Sequence, residues 1–424
     1  MRIFFLWAFI FCACSPSHFI TKEIKETENQ LHGHVGFYLY DLSSKKAKFD
    51  YNGSKYFTPA SNTKIVTFYT SLHLLGDSVK SFRYVKRNDS LIVHGLGDPS
   101  FLYKSVFDNG RTFQFLQQHQ GKIFLASDFF KTESYGAGWA WDDYNDYYAA
   151  ERSGFPIYGN VISIKKVNEN FNFQPLHFGH EFQKSNEQRA FAGIKRDFNS
   201  NRLTYFEGNK MGLQWTIPFR TSNELTIKLL SNTLHRNIEQ ISWPKNDSSQ
   251  IFNSIPADSL YKVMMQKSDN FIAEQLLLQC AAVVSDTLKP EIAIQYSTKK
   301  FLADLPDKPV WVDGSGLSRY NLFTPRSIVT LWNKTHELVP EDRLFKLLAV
   351  NGKQGTLKNF LKTEPPIVFG KTGFLSNNYS VSGYLVTKRG KIFTFSLMNS
   401  NFVSSTAELR KQMEKILMQV RNKY

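Results

Sequence analysis

The chain is poor in cysteine and in long apolar runs. Its 424 residues include three cysteines, Cys12, Cys14 and Cys280. Two of them lie in an apolar run at the N-terminus, so the remainder of the chain holds one cysteine and cannot form an internal disulfide. Past that run no apolar stretch reaches about 18 residues, which predicts no membrane-spanning helix there. These absences exclude a small disulfide-stapled domain and a multispanning membrane protein.

Acidic residues are also scarce relative to basic ones. There are 37 Asp and Glu against 52 Lys and Arg, giving a formal net charge of +15. Such an excess is common in nucleic-acid-binding proteins. Here the basic residues are scattered and the aromatic residues form no RNA-binding pattern, so no nucleic-acid partner is expected. An anionic cell envelope is the alternative counterpart, and an effect on solubility explains the charge equally well.

The N-terminal 17 residues predict export. Arg2 is followed by an apolar run, Ile3 to Ala13, that is too short to cross a bilayer. The segment Phe11-Cys12-Ala13-Cys14-Ser15 resembles the end of a bacterial lipoprotein signal, which would place a lipid anchor on Cys14. A plain secretory signal is the alternative. Both interpretations predict a location in the bacterial periplasm or cell envelope, and the first adds membrane anchoring by the N-terminal lipid.

Strand patterns lie at both ends of the chain, with helical patterns between them. A hairpin is predicted over His34–Asn52, and further strands near 366–369, 379–386 and 392–397. Helical spacing is found at 62–75, 258–265, 271–284, 290–302, 325–333 and 406–420. We therefore expect an α+β domain formed by residues 20–80 and 255–424, with one antiparallel sheet built from both ends. Residues 81–254, with short alternating runs between turns, are expected to form a β-rich inserted domain.

The first motif that carries chemistry is Ser61-Asn62-Thr63-Lys64. Ser61 lies where an extended segment meets a helix, and a lysine three residues later shares its helical face, within reach of the hydroxyl. The helix N-terminus also favours developing negative charge. Taken alone the motif is weak, since serine is a common N-cap and Ser-x-x-Lys recurs elsewhere in the chain.

Two further motifs follow in order. Ser268-Asp269-Asn270 lies between two predicted helices and is typical of a simple cap and turn when taken alone. Lys371-Thr372-Gly373 places a cation, a hydroxyl and a glycine on a strand, where a glycine permits close approach of another backbone. The three motifs in this order are typical of penicillin-binding proteins and class A β-lactamases.

With these motifs the chain resembles the D-alanyl-D-alanine carboxypeptidase/endopeptidases of the class C low-molecular-weight penicillin-binding type, peptidase family S13. The resemblance covers nearly the whole mature length. Besides the three motifs, it rests on the runs Phe57–Lys64, Gly95–Phe101, Gly138–Asp143, Val312–Arg319, Gly355–Leu357, Gly370–Gly373 and Ser382–Leu385. It implies the serine DD-peptidase/β-lactamase-like fold, an antiparallel sheet with helices on both faces.

The resemblance also implies roles. Ser61 would be the acylated nucleophile, Lys64 its neutral base and Ser268 the residue that passes a proton to the leaving amine. Burial beside a second cation, Lys371, is expected to lower the pKa of Lys64. The substrate would be held by Asn270, Lys371, Thr372, Gly373 and Phe374, the last with Ser61 supplying oxyanion-hole N–H groups.

The expected partners are peptidoglycan stem peptides and β-lactam antibiotics, and no cofactor or metal is expected. Many relatives carry Ser or Thr where this chain has Phe374, which slightly favours endopeptidase over strict carboxypeptidase action. Two alternatives stay open at this point. One is a non-catalytic envelope protein that binds cell wall, and the lesser one is a β-lactamase.

Overall fold

A computed structural model describes residues 16–103, 106–107, 110–126, 130–210, 212–244 and 247–424. The described part of the chain contains α-helices with the bounds α1 Pro16–Leu31, α2 Thr63–Leu74, α3 Arg111–Gln118, α4 Asn223–Leu234, α5 Ala257–Lys267, α6 Asn270–Ser285, α7 Pro290–Lys300, α8 Pro325–Leu338, α9 Glu341–Leu347 and α10 Thr406–Lys423. The strands are β1 His34–Asp41, β2 Lys46–Tyr51, β3 Ser78–Arg87, β4 Ser90–Gly95, β5 Ile123–Ala126, β6 Val161–Val167, β7 Asn170–Gln174, β8 Phe182–Phe191, β9 Gly193–Arg196, β10 Leu203–Lys210, β11 Gln214–Pro218, β12 Ile238–Gln240, β13 Gln250–Pro256, β14 Ala349–Val350, β15 Val368–Leu375, β16 Asn378–Val386 and β17 Ile392–Ser400.

Strands from the two ends of the chain form one antiparallel sheet. Its order is β14-β15-β16-β17-β1-β2. The first and last strands of the sequence meet in its centre, where His34 pairs with Ser400 and Asp41 with Phe393. Each face buries alternate side chains, as expected for a sheet covered on both sides. The structure therefore contains the antiparallel sheet, built from both ends of the chain, that the sequence predicted.

Helices cover both faces of this sheet. On one face α1 and α10 pack together, and their apolar stripes share a core with sheet residues such as Leu39, Val381 and Phe395. On the other face α2, α5, α6, α8 and α9 share a second core, which includes Trp332 and Tyr384. The turn Ala60–Asn62, directly before α2, contacts β15 and β16. The motif that begins at Ser61 therefore lies where the sheet meets the helices of this second core.

Residues between α2 and α5 form three further sheets, of five strands (β12-β5-β4-β3-β13) and of three strands each (β8-β10-β9 and β11-β6-β7). They share a separate apolar core drawn from Phe82 to Phe252. The segment leaves and rejoins the rest of the chain at one place, since Pro256 pairs with Ser78 and Ala257 N–H donates to Asp77 O. Two helices in it, α3 and α4, were not predicted.

Candidate active site

Ser61 lies in a short 3-10 turn, Ala60–Asn62, directly before α2. The sequence predicted that Ser61 begins the helix, and the structure places it one turn earlier, on the same face as Lys64. Ala60 has a φ of +48°, a left-handed conformation that is costly for a residue with a Cβ. The sharp turn brings the Ser61 side chain to a partly exposed position above a buried amine.

The Lys64 amine is the centre of the site. It lies fully buried, and its Nζ donates to Ser61 Oγ at 2.9 Å, to Asn270 Oδ1 at 2.6 Å and to the Ser315 carbonyl at 2.6 Å. Burial lowers the pKa of Lys64 to about 8, against the opposing charges of Asp313, Glu274 and Asp269. Burial is thus the cause of the lowered pKa of Lys64. The sequence predicted a contribution from the nearby cation Lys371, but Lys371 is not among the groups that lower this pKa.

A second hydroxyl and amine face each other on the opposite side of the site. Ser268 ends α5 in a left-handed conformation, φ +63°, which directs its side chain away from the helix axis. Lys371 Nζ donates to Ser268 Oγ at 2.8 Å and to the Thr372 carbonyl at 2.6 Å. Burial, followed by the charge of Lys64, holds the pKa of Lys371 well below its usual value.

Asn270 stands between the two pairs, at the first position of α6. Its Oδ1 accepts from Lys64, and its Nδ2 donates to the Tyr148 carbonyl at 3.0 Å. The amide is therefore fixed from both sides. Asp269, between the two motif residues, caps the same helix through Ile272 N–H and accepts from the Tyr103 hydroxyl at 3.2 Å.

The strand β15 carries the remaining predicted residues. The Thr372 hydroxyl donates to Thr356 Oγ1 at 2.7 Å. A Cβ on Gly373 would lie 2.4 Å from the Pro59 carbonyl, so glycine is required there by the protein's own packing against the Ser61 turn. This requirement is separate from the approach of a substrate, which was the reason given for it from the sequence. Phe374, at the end of the strand, exposes 56% of its surface.

The run Asp313-Gly314-Ser315-Gly316 forms a tight turn under Lys64. Its Ser315 carbonyl accepts from the amine, and its Gly314 carbonyl accepts from the Thr67 hydroxyl at 2.7 Å. Gly316 has a φ of +80°, and a Cβ there would lie 1.9 Å from the Ala60 carbonyl. The run was recognised in the sequence without a chemical role. The structure assigns it the task of orienting the lysine.

Sequence reasoning missed a buried ion pair behind this turn. Glu274 on α6 accepts from Ser315 N–H at 2.7 Å and lies 3.5 Å from Arg152 Nη1, with both side chains buried. Arg152 also donates to the Glu133 and Tyr135 carbonyls at 2.8 Å each. A glutamate in an apolar helix is a visible feature of the sequence, but no pattern links it to an arginine 122 positions earlier.

The aromatic cluster at 139–148 also contributes. Trp139 Nε1 donates to Asp313 Oδ2 at 2.9 Å, and the same carboxylate accepts from the N–H groups of Gly316 and Ser318. The Tyr148 carbonyl holds Asn270, as described above. Trp139 and Tyr148 therefore hold site residues in place.

The remaining features considered in the sequence do not belong to this site. In the described part of the chain no group of three or more His, Cys, Asp or Glu side chains could hold a metal ion. Cys280 is buried and lies 3.6 Å from the Ser71 hydroxyl. Cys14 and most of the 17-residue export segment lie outside the described residues. A search of the described helices found none long and apolar enough to span a bilayer.

Solved structures share this fold. Penicillin binding protein 4 (dacB) of Haemophilus influenzae has a TM-score of 0.76 at 21% identity, over 95% of this chain and 99% of its own. A predatory peptidoglycan endopeptidase of Bdellovibrio bacteriovorus, Bd3459, has a TM-score of 0.54 at 16% identity, over 92% and 93% of the two chains. The predicted fold class is confirmed.

Sequence comparisons agree. The D-alanyl-D-alanine carboxypeptidase DacB of Haemophilus influenzae is 22% identical over 96% of this chain and 92% of its own length. The penicillin-sensitive carboxypeptidase A of Dictyostelium discoideum is 23% identical over 87% and 83%. The profile of one peptidase family matches residues 20–422. This match over nearly the whole chain confirms the predicted family and enzyme class: the chain belongs to the D-Ala-D-Ala carboxypeptidase 3 (S13) family.

Proposed function

We propose that Ser61 attacks the D-Ala–D-Ala carbonyl of peptidoglycan stem peptides and becomes acylated, with Lys64 as the general base. One observation carries this proposal: the buried Lys64 amine lies 2.9 Å from Ser61 Oγ and has a pKa of about 8. At pH 7 roughly a tenth of the amine is then neutral, against about four parts in ten thousand for an unperturbed lysine. A neutral amine in contact with the hydroxyl can take its proton as the new C–O bond forms.

The proton then has to reach the leaving amine. In this proposal Lys64 returns it through Ser268, whose hydroxyl protonates the departing D-Ala nitrogen as the C–N bond breaks. Lys371, 2.8 Å from Ser268 Oγ, positions that hydroxyl and stabilises it. Water subsequently attacks the ester, with Lys64 again taking the proton, and Ser61 is restored. A β-lactam would follow the first half of this sequence and stop at the ester.

Substrate binding is assigned to β15 and α6. Asn270 would hold the substrate amide, and Lys371 with Thr372 would bind the terminal carboxylate. A bound carboxylate favours the protonated form of Lys371, whose pKa is otherwise depressed. Backbone N–H groups of Ser61 and Phe374 would form the oxyanion hole, with Gly373 fixing the strand between them. Phe374 supplies no hydroxyl for a carboxylate, which supports action on cross-bridges as well as on terminal D-Ala.

The experiment that tests the nucleophile uses penicillin as a covalent probe. The mature protein is incubated with penicillin, digested and analysed by mass spectrometry, and the adduct is expected on the peptide that contains Ser61. Ser61→Ala should give no adduct. Ser163→Ala, which alters another Ser-x-x-Lys sequence, should label as the parent does. An adduct elsewhere, or none in folded protein, would contradict the proposal.

We further propose that the family's role in peptidoglycan places the protein in the cell envelope, exported by residues 1–17. Residues 81–254 would be an inserted domain, which is supported by their separate core and by the contact between their two ends. A lipid on Cys14 would precede the start of α1 by two residues and would hold the catalytic sheet close to the membrane, where several acyl chains suffice for stable anchoring.

Cys14→Ser tests the anchor. The change should move the protein from the membrane to the soluble periplasmic fraction, because no lipid can then be attached. Ser15→Ala should leave it in the membrane fraction. If the parent protein is soluble and begins near Ser17, the plain secretory signal is correct.

A further inference from the structure

An open groove of about 840 Å³ lies within the 81–254 segment, and none of the residues that hold Lys64 lines it. One wall is the segment Trp141–Asn145, and the other is the face of the sheet β8-β10-β9. Its lining is aromatic and polar together. Trp141 exposes 75% of its surface and Phe191 65%, and because both rings line one groove they form a shared aromatic surface open to a ligand.

The walls are fixed by a buried cation. The Arg196 guanidinium is fully buried and donates to five backbone carbonyls, at 2.7 Å to Asp197, 2.8 Å to Pro218, 3.0 Å to Ser200, 3.3 Å to Tyr144 and 3.5 Å to Phe198. Asn145 adds bonds to the backbone of Ile194 and Arg196. These bonds join the 141–145 segment to the sheet, so the groove is a built feature with a rigid floor.

The floor has an open position. Across β9 and β10, Gly193 pairs with Phe206 and Lys195 with Thr204, and all four residues line the groove. Side chains two apart on a strand share a face, while Ile194 and Tyr205 between them are buried below. A Cβ at Gly193 would meet nothing within 4 Å. The missing side chain leaves a flat space next to the Phe206 ring, on which Arg189 stacks at 3.3 Å.

The charges of the groove nearly cancel. Arg189 is paired with Glu187, and the other charged residues of the lining are two cations, Lys195 and Arg196, and two carboxylates, Asp142 and Asp197. A polyanion would find no net attraction here, whereas a neutral ligand with many hydroxyl and amide groups would find donors and acceptors on both sides. The exposed rings offer negative faces, which attract the C–H groups that cover one side of a pyranose ring.

The groove begins close to residues that support the reaction site. Trp141 lies two residues after Trp139, so their Cα atoms are within about 7 Å, and Trp139 Nε1 donates to Asp313 Oδ2 in the turn that holds Lys64. A stem peptide of about five residues spans up to about 17 Å when extended. A sugar chain attached to a stem peptide at Ser61 therefore comes within reach of the groove.

We propose that this groove binds the glycan strand of peptidoglycan, with the exposed Trp141 ring as a stacking position for one sugar ring and the open floor at Gly193 as the space for another. The proposal rests on the proposed function, because a stem peptide at Ser61 is what brings the glycan to this side. It assigns the far part of the 81–254 segment a role in substrate recognition that is separate from the chemistry.

The test uses neutral, peptide-free oligomers of β-1,4-linked N-acetylglucosamine, titrated by calorimetry into the mature protein, because N-acetylmuramic acid without its peptide carries a free carboxylate. Trp141→Ala removes one stacking ring, and Gly193→Leu fills the open position, where a Cβ meets nothing within 4 Å. Each should weaken binding by about tenfold or more, as truncation of a central aromatic contact commonly does. Leu176→Ala, which removes an equally exposed apolar side chain outside the groove, should bind as the parent does.

Labelling by penicillin at Ser61 is measured on the same samples and should be equal in all of them. Glycan binding that is absent in the parent, or unchanged in both groove variants, overturns the glycan site even if labelling is intact. Loss of labelling in the parent instead overturns the proposed function. Retention of binding to intact peptidoglycan together with failure to bind the peptide-free oligomers would show a stem-peptide or protein ligand and would also overturn the proposal.

Discussion

The catalytic sheet with its helices and the 81–254 segment contribute to the active site in different ways. Side chains from the first region carry the chemistry: Ser61, Lys64, Ser268 and Lys371 form two hydroxyl–amine pairs. The second region reaches the site through supporting contacts, from Tyr103, Trp139, Tyr148 and Arg152. None of these supporting residues touches Ser61 Oγ. The first region supplies the reacting groups, and the second holds the residues around them in position.

The comparison also divides the 81–254 segment itself. Its near part, which includes Tyr103, Trp139, Tyr148 and Arg152, contacts α6 and the 313–318 turn. Its far part, around β8 to β10, is more exposed and forms the groove together with Trp141–Asn145. A contact that is buried and charged should matter most for stability, and an exposed one for recognition. Replacing the whole segment by a linker would remove both at once, so single substitutions distinguish them better.

The largest effect is expected at the chemical pair. Lys64→Met removes the base while preserving the length of the side chain, and should slow acylation of Ser61 by on the order of 10²–10⁴-fold. The matched control Lys300→Met, on the exposed end of α7, should acylate at the parent rate. Stopped-flow measurement with a chromogenic cephalosporin checks both. A variant that melts like the parent and still acylates at its rate would remove Lys64 from the mechanism.

A smaller effect is expected where the second region supports the first. Arg152→Met leaves the buried Glu274 carboxylate without its partner, which should cost about 3 kcal/mol in the free energy of unfolding. The double variant Arg152→Met/Glu274→Gln removes the uncompensated charge and should recover part of that loss. Urea denaturation measures all three proteins. Equal stability of Arg152→Met and the parent would show that the pair does not join the two regions.

The sequence predicts the first region far better than the second. The short motifs identify Ser61, Lys64, Ser268, Asn270 and Lys371 because local helix and strand geometry and motif order constrain them, and the structure brings these residues together. The supporting contacts join positions more than 100 residues apart, and no local pattern encodes such pairs. Trp139 and Glu274 are visible as residue types, but their partners, Asp313 and Arg152, follow only from the packing of the 81–254 segment.

The missed helices show the same limit on a smaller scale. In α4, Ser222 caps the helix through Leu225 N–H, a pattern that the sequence displays, yet the surrounding short strands favoured a β-rich interpretation of the segment. In α3, eight residues are too few for a periodicity to be distinctive. Both helices are held by the core of the segment, so their tertiary contacts, more than their local propensity, decide their structure.

The measurement that tests the account most directly is the pH dependence of acylation between pH 6 and 9.5. Burial lowers the pKa of Lys64 to about 8, and the neutral amine is the base. The rate should therefore rise about tenfold per pH unit below pH 8 and level off above it.

The pKa of Lys371 is also lowered, so the variant Lys371→Arg is needed to assign this rising limb of the pH–rate profile, because the arginine cation does not deprotonate. If the limb persists near pH 8 in Lys371→Arg, the limb belongs to Lys64. Glu274→Gln should move the limb to lower pH, since it removes a negative charge that raises the pKa of Lys64. A rate that is flat through pH 8 in the parent and in Lys371→Arg would contradict the assignment of Lys64 as the base.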